Sequence, residues 1–271
     1  MNRLGTLWLA LACATLPLAG QEAIQTPAAT LPGLGSVVLR EQVRFFHADQ
    51  DPTTQREEID ELQSLTTLTI GYEPDVALGV TVPLAWRSFV EGNGQERDQL
   101  RTGDVRAFAK WRFYREDTAA IDTTRAAMLA GFMLPTGEGT SLRPGFSDDS
   151  FDPFLGVALT QIRHRHGLGL AAEYRLSTSG HADLFEGDLA YLYRLEPAEF
   201  STTSTSAFYG VAEVNLYYET NGDVEALLAP GLMYEARTFT IEFGIQIPLV
   251  QELDHRAEID YGVTLGMRVT F

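Results

Sequence analysis

The sequence predicts an all-β fold, a transmembrane antiparallel up-and-down β-barrel of about twelve strands, and three observations carry that reading. Segments with a two-residue hydrophobic period recur along most of the chain, the last of them runs to the final residue, and short and long connections alternate between them. In the closing segment Tyr261, Val263, Leu265, Met267, Val269 and Phe271 take every second position, with Gly262, Thr264, Gly266, Arg268 and Thr270 between. A last strand with an exposed apolar face is an aggregation liability in water. In an outer-membrane barrel that face meets lipid and the strand closes the ring against the first. Phe271, with Val269 and Met267 two and four places before it, also resembles the C-terminal signal read by the barrel assembly machinery.

The front end sets the compartment. Residues 1–20 start with Asn2 and Arg3, continue through a mostly apolar run from Leu4 to Leu18, and reach small residues at Ala19 and Gly20. This reads as a secretory signal peptide; as a membrane anchor the run is short, and Pro17 breaks it. Cys13 is the only cysteine and leaves with the signal, so neither disulfides nor thiolate metal sites are expected. Residues 21–32, rich in proline and alanine, read as a flexible periplasmic linker, and residues 33–271 as the barrel domain.

Hydropathy shows no further run long enough for a membrane helix, but barrel strands escape such scans because only alternate residues face lipid. The net charge of −17 argues against nucleic acid as a partner. It fits acidic surface loops, either simply solvated or bridged by divalent cations to anionic outer-leaflet lipid.

Taken in order, the strands are these. Val37, Leu39, Val43 and Phe45 form one face of the first, although Glu41 interrupts it. A Thr-rich run from about Leu62 to Tyr72 is the second. The clearest is the third, where Val76, Leu78, Val80, Val82, Leu84 and Trp86 alternate without a break. Val105 to Phe113 and Ala126 to Leu134 follow, then shorter runs around Val157, Leu170 and Tyr191. Phe208 to Tyr218, a weak run from Val224 to Tyr234, and Phe239 to Leu249 precede the terminal strand.

The connections test this count. Those at 73–75, 163–167 and 235–237 are hairpin turns, whereas 47–61, 91–102, 135–152 and 251–258 are long and polar. Short turns belong in the periplasm and long loops outside. The stretch 196–206 is long for a periplasmic turn, and 220–223 is short for an outer loop. Trp86, Trp111, Tyr174, Tyr218 and Tyr261 stand where the interfacial girdles belong. A soluble sandwich or lipocalin-like barrel is the competing fold, and it leaves these continuous apolar faces nowhere dry to go.

The chain resembles the MetA-pathway of phenol degradation family of outer-membrane proteins. The resemblance rests on Gly103-Asp104 opening GDVRAFAKWRFY, on LPTGEGTS from Leu134, DPFLGVALT from Asp152, APGLMYE from Ala229, and the IPL of Ile247 to Leu249. It implies an outer-membrane, transporter-like barrel with a channel role toward aromatic or other apolar compounds, and it brings no catalytic residue and no cofactor.

Function in the residues themselves lies on the inward face. Arg40, Arg44, Arg87, Arg106, Lys110, Arg112 and Arg268 come from strands that neighbour one another once the ring closes, and Glu173, Glu186, Asp188, Glu213 and Glu242 face them. Basic and acidic walls of this kind either orient a dipolar solute at a constriction or pair across a narrow lumen and plug it. Enzymatic constellations are thin. His164 and His166 flank Arg165 in a short turn without a third ligand, and Gly137 and Gly139 open no helix. His181, Asp183, Ser177 and Ser179 are the parts of a hydrolytic site at a rim without any constraint on geometry.

The expectation is therefore a monomeric channel in the outer membrane of a Gram-negative-type bacterium, passively admitting small-molecule solutes. Its partners are outer-membrane lipid and the assembly machinery, with no metal and no cofactor. Alternatives are a barrel hydrolase acting on lipid or peptide, and a closed structural barrel.

Overall fold

Alternating side chains that are apolar on one face and polar on the other satisfy lipid and lumen only if every backbone group is paired within a closed sheet. The computed structural model describes residues 22–271 except 52, 53, 120, 139, 140, 148, 149 and 202. The expected signal peptide lies outside the described residues.

The strands in order are β1 (Val37–Asp51), β2 (Arg56–Glu73), β3 (Val76–Val90), β4 (Glu96–Thr102) and β5 (Val105–Asp117). They continue as β6 (Thr123–Leu134), β7 (Asp152–Arg163), β8 (His166–Arg175) and β9 (Leu184–Glu196). The last are β10 (Ser206–Glu219), β11 (Val224–Ala236), β12 (Phe239–Glu252) and β13 (Tyr261–Thr270). Neighbours pair antiparallel, and β1 joins both β2 and β13, so the sheet is closed. β4 pairs with residues 84–90 of β3 and β5 with residues 76–81, so the two share one place in a ring of twelve.

Register and face follow the sequence pattern. Leu78, Val82, Leu84 and Trp86 point outward and are exposed, as are Leu265 and Met267 on the closing strand. Trp86, Trp111, Tyr174, Tyr218 and Tyr261 are all exposed on the outer wall. At the seam Val37 N donates to Phe271 O and Phe271 N to Val37 O, so the last residue is bonded to the first strand.

Two predicted loops are corrected. Most of 47–61 is strand, because β1 and β2 keep pairing through His47↔Asp60 out to Asp51↔Arg56. Much of 91–102 is β4, folded back on the upper half of β3. Both are polar hairpins standing above the apolar band, where water rather than lipid meets the outer face. Alternation of hydrophobicity therefore fades although strand pairing does not.

Candidate functional site: the lumen and its two closures

The largest departure from expectation is the segment read as a flexible linker, 21–32. Its described part, from Glu22, lies inside the barrel. Ala23, Ile24, Thr26, Ala28, Ala29 and Thr30 are buried, and they touch walls from β13 and β12 through β10 to β7 and β5. The chain then turns at the short-turn end into β1. There Gly35 N donates to Gly71 O, Gly71 N donates to Ser36 O, and a Cβ on Gly71 would stand 2.1 Å from Gly33 O.

A segment whose only charged side chain is Glu22 offers mostly backbone groups, and inside a barrel these need partners. The two walls divide the work. Glu213, with 1% exposure, accepts from Ile24 N at 2.8 Å, Gln25 N at 3.0 Å, Thr26 N at 2.7 Å and Thr26 Oγ1 at 2.7 Å. On the basic side Arg40 Nη2 and Gln42 Nε2 donate to Ile24 O at 2.6 and 2.8 Å, and Lys110 Nζ donates to Ala28 O at 2.9 Å. Thr160 Oγ1 accepts from Ala29 N, and Glu22 pairs with Arg268. Polarity across the lumen is thus present, and the dipoles it orients are those of the protein's own main chain. Apolar contacts complete the seat. Ile24 packs with Leu192, Tyr209, Val211 and Met233, and a Cβ on Gly231 would come within 2.5 Å of Ile24 Cδ1. Phe200 of the 197–205 connection packs against the same cluster, which accounts for a turn longer than its neighbours.

The predicted walls are less segregated than expected. Glu242, fully buried, bonds both Arg40 at 2.7 Å and Arg268 at 2.6 Å. Arg106 reaches Glu173 with both guanidinium nitrogens, at 2.7 and 2.5 Å, and lies 3.8 Å above the Phe154 ring. Arg87 pairs with Glu61 at 2.5 Å. Arg112 stays in phase with Arg106 and Lys110 and is buried at the turn end of β5, where it bonds Pro74 O and Asp75 Oδ1, each at 2.8 Å. Above the plug, Arg44, Glu173, Glu186 and Asp188 stay partly exposed to the lumen. Glu173 and Glu186 are directly opposed in register, and Asp188 accepts from Asn215 at 2.7 Å.

The extracellular end is closed by the 135–151 connection. Leu142, 2% exposed, inserts among Phe46, Ile59, Phe89, Leu227 and Ile259. Buried carboxylates fasten it. Glu61 accepts from Ser141 Oγ at 2.5 Å and Leu142 N at 3.2 Å, and Glu225 takes Arg143 at 2.5 Å and Arg256 at 3.1 Å. Arg143 also lies 4.4 Å above the Tyr217 ring. Asp104 Oδ1 accepts from Thr136 N at 3.0 Å and Gly137 N at 2.8 Å, so the GDV and LPTG stretches singled out in the sequence meet. Beside this cap, Asp223 holds the 253–260 connection through Asp254 N at 2.9 Å and His255 Nδ1 at 3.0 Å.

Glu61, Arg143 and Glu225 were missed by the inward-face reading. Glu61 and Arg143 fall in predicted loops and Glu225 in the weakest strand. Conversely, the hydrolase parts do not assemble. Asp183 accepts from Tyr174 Oη and Ser177 N, and among the described residues no hydrogen bond links His181 to it. His164 bonds Asp122 while His166 bonds Tyr191, so the two histidines diverge.

No family model matches the chain, and no curated protein does. Solved structures do. The COG4313 outer membrane channel from Pseudomonas putida F1 is 12% identical, with a TM-score of 0.59 over 93% of this chain and 100% of that one. The beta domain of the Bordetella autotransporter Brka is 11% identical, with a TM-score of 0.50 over 88% of this chain and 99% of that one. At these identities the likeness shows the fold, and that fold is the outer-membrane β-barrel of Gram-negative bacteria.

Proposed function

We propose that the chain is an outer-membrane channel for passive entry of small molecules, and that the arrangement described above is its closed state. The observation that carries the reading is the Glu213 cradle. One buried carboxylate takes three consecutive backbone N–H groups and a hydroxyl of the segment that leads into β1. A purely structural barrel of this width has no need of a separate segment threaded through it, whereas a gated channel needs something to close it. The charged belt above the plug gives a solute groups to bind once the plug moves. The resemblance to the MetA-pathway of phenol degradation family, together with the fold shared with an outer membrane channel, favours aromatic or other apolar solutes. Met267, Val269 and Phe271 stand on the outward face of the closing strand, where the assembly machinery would read them as the terminal signal.

The test is conductance in planar bilayers, of the full chain and of a variant lacking residues 22–30. The variant should conduct several-fold more than the full chain and should admit small aromatic solutes in liposome swelling. A folded variant that conducts no better than the parent would return the protein to the class of closed structural barrels.

A further inference from the structure

On the outer wall, at the extracellular end of the seam where first and last strands meet, four side chains face one another. His47 and Asp49 belong to β1, Asp60 to β2, and Asp260 immediately precedes β13. His47 is the last β1 residue paired with β13, opposite Tyr261, and its ring lies 5.6 Å from the Tyr261 ring. Its Nδ1 is 2.7 Å from Asp60 Oδ1. Its Nε2 looks the other way, 3.5 Å from Asp49 Oδ1 and 4.0 Å from Asp260 Oδ2. Backbone bonds hold the two strand ends in place: Asp260 N donates to His47 O at 2.8 Å and Asp49 N to Asp260 Oδ2 at 3.1 Å.

We propose that His47 Nε2, Asp49 and Asp260 bind a divalent transition-metal cation of the zinc class, and that Asp60 positions the imidazole for it. A carboxylate on one ring nitrogen fixes the tautomer and leaves the other nitrogen's lone pair free to coordinate, which is how metal-bound histidines are usually supported. In a tetrahedral site with bonds near 2.0–2.2 Å, neighbouring donor atoms stand about 3.4 Å apart. The 3.5 Å separation meets that spacing, and the 4.0 Å one needs only a few tenths of an ångström from an exposed aspartate on a loop end. A nitrogen donor selects zinc-like cations over magnesium or calcium, and water fills the remaining positions. Three uncompensated aspartates around one histidine supply the negative charge that a dication neutralises. Since its ligands come from both ends of the barrel domain, the ion would fasten the ring at its closure.

The probe is zinc chloride alone, titrated calorimetrically into the full chain refolded in detergent and stripped with chelator. One saturable site per chain is expected, weakened at least 10-fold in His47→Gln and in Asp260→Asn, and unchanged in Glu199→Gln, an exposed carboxylate in the β9–β10 turn at the opposite end of the barrel. Retention of the compact gel band before heating shows that each variant is folded. Absence of a saturable site, or equal affinity in His47→Gln, overturns the proposal. Zinc should also raise the temperature at which the parent loses its compact band, and leave that of His47→Gln where it was. An equal rise in both overturns the fastening role.

Discussion

At the periplasmic end the lumen is filled by main chain, and at the extracellular end by a loop held through side-chain ion pairs. The plug contributes mostly backbone N–H and C=O groups, and the wall contributes Glu213, Arg40, Gln42 and Lys110. The cap contributes Arg143, Ser141 and Leu142, and the wall contributes Glu61 and Glu225. Charge-assisted bonds hold both, but the plug brings a single charge of its own, Glu22 on Arg268, whereas the cap is fastened chiefly through Arg143. A closure that offers mostly backbone can be loosened by changing one wall residue, whereas a closure knit by paired charges resists release because either partner is left buried when the other goes.

The largest effect is therefore expected at Glu213. Replacing it with alanine removes the shared acceptor of Ile24, Gln25 and Thr26, and a hydrogen bond to a charged group contributes about 1.5–3 kcal/mol net. Losing even one such bond shifts the seating equilibrium roughly 10-fold or more. Glu213→Ala should open the channel in bilayer recordings and expose residues 22–30 to protease, while the barrel keeps its heat-resistant band. If the segment stays protected, the apolar seat around Ile24 dominates, and the contrast between the two closures is smaller than drawn.

Next comes Arg143→Ala at the cap. Breaking a buried ion pair by removing one partner costs on the order of 3–5 kcal/mol, and the low end applies because Glu225 keeps Arg256. Hydrogen exchange should quicken at Leu142 and its neighbours, with the plug amides unchanged. Coupled loosening of residues 24–26 would show that the two closures move together.

A smaller effect separates the inner from the outer wall. Val82, 48% exposed, faces lipid, and arginine there costs about 2–4 kcal/mol if it lies near the midplane. Thr81, whose hydroxyl meets Thr67 Oγ1 at 2.9 Å, should accept arginine at less cost. Urea midpoints of the two variants check the order, and equal losses would contradict the facing of β3.

What was legible in the sequence divides along the same line. Lipid tolerates only apolar side chains, so runs such as Val76 to Trp86 declare both their strand and their face. The lumen sets no such rule. Lys110 and Glu213 could be recognised as inward from their phase on β5 and β10, but their partners could not, because those partners are backbone atoms of a segment whose side chains are small and unremarked. Pro and Ala in residues 27–32 read as a linker for the same reason that they fit a narrow lumen: they carry nothing bulky or charged. Glu61 was hidden because the polar hairpin of β1 and β2 rises out of the apolar band, where pairing continues after alternation has stopped.

The smallest predicted effect lies at the edge of the cap and depends on pH. Hydrogen bonding to Asp223 raises the His255 imidazole above its ordinary value of 6.5. Burial pushes the Asp223 carboxyl up, yet the His255 ring and the backbone N–H groups of Asp254 and His255 outweigh it and hold the carboxyl below its usual 3.8. A histidine with a raised folded pKa contributes stability that is complete below about 6.5 and disappears as pH rises through the raised value. An aspartate with a depressed pKa contributes stability that is complete above about 3.8 and disappears as pH falls through the lowered value. Anchorage of the 253–260 connection is therefore greatest between about pH 4 and pH 6.5, and weakens on the alkaline side first under ordinary conditions. His255 is exposed, so the change should be modest and screened by salt. Exchange at the Asp254 and His255 amides, corrected for the intrinsic pH dependence, should show less protection at pH 8 than at pH 6. In His255→Gln that difference should vanish. Should the parent show equal protection at both values, the backbone bonds to Asp223 alone hold the loop, and the histidine adds nothing to the closure.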